Sequence, residues 1–304
     1  MCSRGCQPCN RRSNLPPLKL RFIVNPRSGA ARHALPAVEA FAARHGAAVR
    51  LTEHARHASD LTRQALQDGC DVVVAVGGDG TMNEVASVLT GTPGVLGLVP
   101  CGSGDGFGRH LRIHGPPAHA LAILEAGHVR TVDSGLAGGH PFFCAAGLGF
   151  EAEIARRFNA LRRRGFLRYV TTSAAAWRQW RPRRYTIRHA AGTDVVDAFT
   201  LVVANAEQYG NDARVAAGAR IDDGRLDLVA VPPVTLLNAG PLALRLFRGT
   251  LDRDRRVLRR SDTAFVVEGE TPNALHTDGE IHAAGASVEF RIRPASLRVL
   301  APPA

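Results

Sequence analysis

The chain has 304 residues, 45% of them hydrophobic and 21% charged, an ordinary globular balance that excludes disorder as the default state. Its formal charge of +11 comes almost wholly from arginine, Lys19 being the sole lysine, so its surface should attract phosphate-bearing partners: nucleotide, anionic lipid or nucleic acid. No apolar run reaches the roughly 18 residues of a spanning helix and the N-terminus lacks the apolar core of a secretory signal, so a cytoplasmic protein is expected.

The chain opens with MCSRGCQPCNRRSNLPP, a polar stretch ending in prolines, and residues 1–18 are read as a disordered tail. Cys2, Cys6 and Cys9 have the C-x3-C-x2-C spacing of a radical-enzyme iron-sulfur loop, but a tail ahead of the first strand is the wrong place for one. Cys70, Cys101 and Cys144 lie in apolar surroundings and read as small core residues of a reduced protein.

From Leu20 onward short apolar runs alternate with helical stretches. LRFIV is a strand; ARHALPAVEAFAARHG has helical spacing and stops at Gly46; AAVRL is a strand; ASDLTRQALQDG is a helix with Ser59 or Asp60 near its cap. DVVVAV follows as a strand, a helix starts at Thr81 in TMNEVASVLTG, and VLGLVP is the fourth strand. Continuous apolar strands separated by helices predict a parallel sheet covered on both faces, so residues 19–134 are read as an α/β domain. After about Gly135 the strands PFFCAAG, RYTIRHA, AFTLVVAN, RLDLVAV, TAFVVEG and SVEFRIRP follow one another, interrupted by helical stretches at about 151–181 and 235–248. Residues 135–304 are therefore expected to form a mostly antiparallel, β-rich second domain, whose last strand is a candidate to return to the first.

Three of the first four strands end in loops of glycines and small residues: NPRSGAAR (25–32), GGDGT (77–81) and PCGSGDGFG (100–108). Ligands of open α/β sheets settle beyond the carboxyl ends of the strands, and glycine backbone feeding helix N-termini suits phosphate. A lone carboxylate there, Asp79, would repel phosphate unless a divalent metal or water bridges them, so it reads as a partner of Mg-ATP. The alternative is three tight turns that merely close strand onto helix.

NPRSG, GGDGTMNE, CGSGDGFGRHL, DDGRLDL and HTDGE, in this order over about residues 20–300, resemble the diacylglycerol kinase and sphingosine kinase family of lipid kinases. The resemblance implies a nucleotide-binding domain like that of NAD kinases and phosphofructokinases, with a β-rich second domain. It places the active site in the cleft between them and implies transfer of the ATP γ-phosphoryl group to a lipid hydroxyl, with ATP and Mg2+ as cofactors. The nucleotide would be held by Asn25, Pro26, Arg27, Ser28 and Gly29; by Thr52; by Gly77, Gly78, Asp79, Gly80, Thr81 and Glu84; by Gly102, Ser103 and Gly104; and by Glu280. Asp278 matches the general base, with Asp79 the rival candidate; an Asp-Gly hairpin turn is the other reading of the same dipeptide. Asp223 would bind a structural magnesium with the main-chain carbonyls of Arg220 and Arg225, where a plain turn is the alternative.

The sequence departs from the family in two places. Gly106 stands where bacterial diacylglycerol kinases carry an aspartate that supports the base, and Asp105 lies one position earlier, closer to the Gly-Ser-Gly-Asn pattern of sphingosine kinases. Neither Glu151 nor Glu153 registers with the acid that binds a sphingoid amine.

Residues 155–184 mix arginines with Phe158, Phe166, Tyr169, Trp177 and Trp180, a composition suited to an anionic membrane surface or, alternatively, to a helix packed on the second domain; a second basic run at 245–260 extends the same surface. His110, His114 and His119 are separated by the helix-breaking Gly115-Pro116-Pro117 and are not read as a metal site, while His54 and His57 sit on the presumed nucleotide rim. The expected partners are ATP and a lipid at an anionic membrane surface, with peripheral association and a homodimer as the first guess. The competing readings are an NAD-kinase-like enzyme with a soluble substrate and a basic nucleic-acid-binding protein, the latter without any visible recognition motif.

Overall fold

The structure, a computed structural model, describes residues 19–159, 175–209, 213–269 and 273–303. The readings that fell on Cys2, Cys6, Cys9, Phe166 and Tyr169 lie outside them. Strands β1 (Leu20–Val24), β2 (Ala48–Leu51), β3 (Val72–Gly77) and β4 (Val95–Pro100) pair in parallel in the order β2-β1-β3-β4. Every residue of β3 is buried, because helices cover both faces: α1 (Ala31–Arg44), α2 (His57–Gln67), α3 (Asp79–Leu89) and α5 (Pro117–Ala126), with the short α4 (Gly106–His110) between.

Two helix starts differ from expectation, one for a tertiary and one for a local reason. α2 begins at His57, so Ser59 and Asp60 lie inside its first turn; its free N–H groups at Arg56 and Ala58 are capped instead by the Glu84 carboxylate of α3, at 3.2 and 3.0 Å. α3 begins at Asp79, two residues before Thr81, because Gly78 serves as its N-cap and accepts the Met82 N–H.

The second part adds β5 (Val129–Ala137), β6 (His140–Phe142), β7 (Ala145–Gly149), α6 (Phe150–Asn159), β8 (Arg183–His189), β9 (Gly192–Ala198), β10 (Thr200–Ala204) and β11 (Leu226–Val231). It closes with α7 (Ala239–Arg248), β12 (Leu258–Asp262), β13 (Ala264–Gly269), β14 (Asn273–Thr277), β15 (Glu280–Ala284) and β16 (Ser287–Leu300). An antiparallel sheet β12-β11-β10-β7-β14-β15 stacks on the far half of the first sheet, where β16, β13, β8 and β9 lie beyond β4. Leu148, Leu201, Val203, Leu228 and Leu275 from one side meet Tyr185, Phe265, Val267 and Phe290 from the other in a sandwich core.

β16 carries the chain from this sandwich back to the first domain: its N-terminal half pairs with β13, and Arg298 and Val299 pair in parallel with Val95 and Leu96. β5 follows it along both halves, so residues 134 and 135 lie within one strand. The turn from one domain to the other is made at a bulge between Arg293 and Leu297, where Ala295 takes φ +48°. Asp133, buried, holds that bulge by accepting the Ala295 and Gly224 N–H groups, both at 2.7 Å.

Asp133→Ala orphans both donors and should cost about 3 kcal/mol or more, since each buried unpaired group costs roughly 1–3 kcal/mol. The expected result is a lower urea midpoint at constant slope, with Asp133→Asn in between; a midpoint equal to that of the parent would remove the clamp.

Candidate active site

The loops after β1, β3 and β4 are welded to one another. The Gly78 N–H donates to Ser28 Oγ at 2.7 Å and the Ala30 N–H to the Cys101 carbonyl at 2.9 Å; Asn25 Nδ2 donates to Thr81 Oγ1 at 3.2 Å. Gly29 has φ +39° and a Cβ there would stand 1.9 Å from the Cys101 carbonyl oxygen, while one on Gly102 would meet Gly78 Cα at 2.8 Å. These glycines are needed because backbone packs on backbone.

Asp79 ties the second loop to the third: its Oδ2 and Oδ1 accept the Asp105 and Gly106 N–H groups at 2.9 and 3.0 Å, which caps α4. Burial raises the Asp79 carboxyl above its ordinary range against these bonds, and the Asp278 charge adds to the rise. Asp105 sits at φ +48°, accepts the Gly102 N–H at 3.0 Å and lies 3.6 Å from His114 Nδ1. Burial, then the Asp79 charge, pushes it up to about 7. It faces its own loop, and no hydrogen bond joins it to Asp278 among the described residues.

On the rim of these loops a cleft of about 210 Å³ is lined by Asn25, Arg27, Thr52, Glu53, His54, Ala55, Ala58, Thr81 and Glu84. It thus gathers Asn25, Arg27, Thr52, Thr81 and Glu84, together with His54, which stacks on His57 at 4.4 Å. Gly80 and Thr81, in the first turn of α3, have no intrahelical acceptor for their N–H groups. Pro26 and Ser28 belong to the first loop beside it, and Ser103 is exposed at the tip of the third, between Gly102 and Gly104. Glu280 is exposed beyond the Asp278 turn.

Asp278 arrives from the other domain. With Gly279 it forms the two-residue turn between β14 and β15, at φ +48° and +86°, the left-handed pair of a type I′ hairpin. The hairpin reading of this dipeptide and its approach to the glycine loops are therefore compatible. Its Oδ2 accepts the Phe143 N–H at 2.8 Å and Asn83 Nδ2 at 3.0 Å; its Oδ1 accepts the Cys144 and Ala145 N–H groups at 2.9 and 3.0 Å. Burial raises its carboxyl nonetheless, with those donors opposing the rise. Asn83 belongs to α3, so this amide joins the two domains, and Ser87 Oγ donates to its oxygen at 3.2 Å.

The remaining acids lie apart. Asp223 is exposed in the turn before β11, its Oδ1 accepting the Arg225 N–H at 3.0 Å; the Arg225 side chain turns to Ser261 and that of Arg220 to Asp222. No group of three or more His, Cys, Asp or Glu side chains converges as a metal cage among the described residues. Glu151 accepts the Tyr209 hydroxyl at 2.6 Å and lies 3.2 Å from His276 Nε2, whereas Glu153 pairs with Arg157. Cys70, Cys101 and Cys144 are buried thiols.

Sequence reasoning passed over Asn83, although it stands inside the quoted GGDGTMNE, and over Asn205, whose buried amide donates to the Asp133 and Phe143 carbonyls at 3.0 and 2.9 Å. Neither is signalled by its spacing: each works on partners more than 50 residues away.

The Asp105 proton makes stability depend on pH. The folded chain keeps a proton up to about pH 7 that the unfolded carboxyl releases near 3.8, so stability from this site is present in acid and lost as pH rises between those values. Asp105→Asn keeps an acceptor for Gly102 and tolerates the left-handed backbone; its gain in Tm should be larger at pH 8 than at pH 5, and equal gains would contradict the shift.

Comparison with known proteins follows the same division. Residues 19–137 match the diacylglycerol kinase catalytic domain, and residues 144–301 match the YegS C-terminal NAD kinase beta sandwich-like domain. A Chromohalobacter salexigens protein named "Probable lipid kinase YegS-like" is 33% identical over 64% of this chain and 64% of its own length. A "Diacylglycerol kinase" of Mycobacterium tuberculosis is 28% identical over 93% of this chain and 95% of its own. The chain spans less than two thirds of some curated relatives, 61% of one and 64% of another. A solved structure of a diacylglycerol kinase from Bacillus anthracis superposes with a TM-score of 0.71 at 18% identity, covering 94% of this chain and 97% of that one, a likeness of fold alone. With both domain models matched in order along one chain, the second over more than half of it, the protein belongs to the diacylglycerol kinase family, built from that catalytic domain and its YegS-type β-sandwich.

Proposed function

We propose that the protein is an ATP- and Mg-dependent lipid kinase that transfers the γ-phosphoryl group to a hydroxyl of a diacylglycerol or sphingoid-type lipid. One observation carries the reading: the Asp278 carboxylate of the second domain reaches α3 of the glycine-loop domain through Asn83, 3.0 Å away. In this reading the base comes from one domain and the nucleotide site from the other, and that bond holds the two side by side.

In this reading Asn25, Arg27, Thr52 and Glu84 hold the nucleotide, and the free N–H groups of Gly80 and Thr81 take its phosphates. The acceptor oxygen bonds to the γ-phosphorus while the bond to the β–γ bridging oxygen breaks; ADP leaves with those electrons and the hydroxyl proton goes to Asp278. Two donors already occupy each Asp278 oxygen, and Asn83 is the one side chain among them, hence the donor that an acceptor hydroxyl can displace. Burial that raises the Asp278 carboxyl makes it a better proton acceptor than an exposed aspartate.

Two carboxylates suit magnesium as hard oxygen donors: Asp79, which gives only one bond site per oxygen to the backbone, and the exposed Asp223. When bound, the ion neutralises phosphate charge. Asp79 would hold it with the nucleotide, and Asp223 with the Arg220 and Arg225 carbonyls would hold a structural one.

Incubation with labelled ATP, NAD and a panel of lipid hydroxyl acceptors tests the reading; transfer to NAD alone, or to none, would reject it. Asp278→Asn should bind nucleotide as the parent does and lose transfer by about 10²-fold or more, and undiminished turnover would take Asp278 out of the chemistry. Gly80 offers a second check, because nothing lies within 4 Å of a Cβ placed there. Gly80→Ala should leave the Tm unchanged or higher yet weaken ATP binding about tenfold, a penalty of roughly 1.4 kcal/mol; equal calorimetric affinity would mean no phosphate approaches that backbone.

A further inference from the structure

α7 lies on the outer face of the antiparallel sheet, anchored by buried Leu242 and by Leu246 packed against Val202, Val229 and their neighbours. A helix held on one side should be polar on the other. Here the opposite side presents Leu244 and Phe247, 51% and 54% exposed, and the preceding loop adds Leu236 and Leu237 at 83% and 92%. Four of the seven exposed large hydrophobics among the described residues thus fall within one stretch of twelve residues.

The loop is built to hold them out. Asn238 Oδ1 accepts the Thr235 N–H at 2.7 Å, its Nδ2 donates to the Pro233 carbonyl at 3.0 Å, and the Ala239 N–H closes on Thr235 at 2.9 Å. Leu236 and Leu237 therefore cap a rigid, protruding turn.

The surroundings are cationic. Residues 245–256 hold five arginines against Asp252 and Asp254, and Asp254 is committed to Arg256 at 2.8 Å. Arg248, Arg253 and Arg255 are exposed, with no ion pair among the described residues. The described end of the arginine-rich segment adjoins this ridge: Trp177 Nε1 donates to the Val234 carbonyl at 3.3 Å, and Arg178 and Arg181 are exposed beside it.

We propose that this ridge docks the protein on an anionic phospholipid bilayer, with Leu236, Leu237, Leu244 and Phe247 in the interface and Arg248, Arg253 and Arg255 over the head groups. Charge selects the occupant. A second copy meeting the ridge about a two-fold axis would bring the same guanidiniums together, whereas an anionic bilayer neutralises them while accepting the apolar tips. The inference deepens the lipid-kinase reading, but its test needs no phosphoryl transfer.

Cosedimentation of the full chain with vesicles of phosphatidylcholine, with and without phosphatidylglycerol, reads the docking directly. The parent should bind the anionic vesicles, and binding should weaken as salt rises. The Leu236→Ser, Leu237→Ser double variant should lose at least tenfold in partitioning with its Tm unchanged. Arg248→Glu with Arg255→Glu should abolish the preference for phosphatidylglycerol. Equal recovery on neutral and anionic vesicles, or leucine variants that bind as the parent does, would overturn the proposal. So would a concentration-dependent dimer that the leucine variant abolishes while vesicle binding stays unchanged. Transfer to a lipid acceptor in detergent micelles separates the two readings: a parent that docks as described but phosphorylates no lipid keeps the ridge and loses the kinase assignment. A double variant that also fails in micelles would place the leucines in the active site instead.

Discussion

The four hydrogen bonds on the Asp278 carboxylate set the geometry on which the rest depends. Three come from the successive backbone N–H groups of Phe143, Cys144 and Ala145 leading into β7 and one from Asn83 on α3, so a single half-buried carboxylate ties strand, hairpin turn and the other domain's helix together. Burying a carboxylate without donors would cost several kcal/mol and drive it to protonate. Here backbone donors compensate the charge, and that compensation fixes the Asp278 carboxylate beside α3.

The same device recurs across the chain. Asp79 caps α4, Glu84 caps α2, Asp105 takes the Gly102 N–H and Asp133 pins the β16 bulge. Asp79, Glu84 and Asp133 each take up backbone donors of another element, while Asp105 takes that of its own loop. The glycine loops are thus held to one another by the chain's own hydrogen bonds. Gly80 stands out because its missing side chain meets no protein atom, so nothing inside the fold requires a glycine there.

The second domain works in two directions. Toward α3 it delivers Asp278 on a two-residue turn; on the outer face of the same sheet α7 covers the core formed by Ala204, Val229 and Leu251 and keeps a second apolar stripe outside. No helix of the described residues is long and apolar enough to cross a membrane.

The sequence alone determined the parts that are local or periodic. β3 and β4 are continuous apolar runs and β1 is one but for Arg21, the glycine loops are visible as composition, and the two-part organisation shows in the shift from alternating elements to successive strands. β9, β12 and β15 escaped because each pairs on only one side and carries polar residues there, leaving weak alternation. α5 and β5 were missed although Pro116-Pro117 marks the helix start. Only the tertiary structure decided what the acids do: GGDGT announces an aspartate among glycines, but Asp79's partners stand 26 and 27 residues later, and Asn83 meets Asp278 across 195. Spacing rules reach one helical turn or one hairpin, and hydrogen bonds that close between strand ends of different domains exist only once both sheets have stacked.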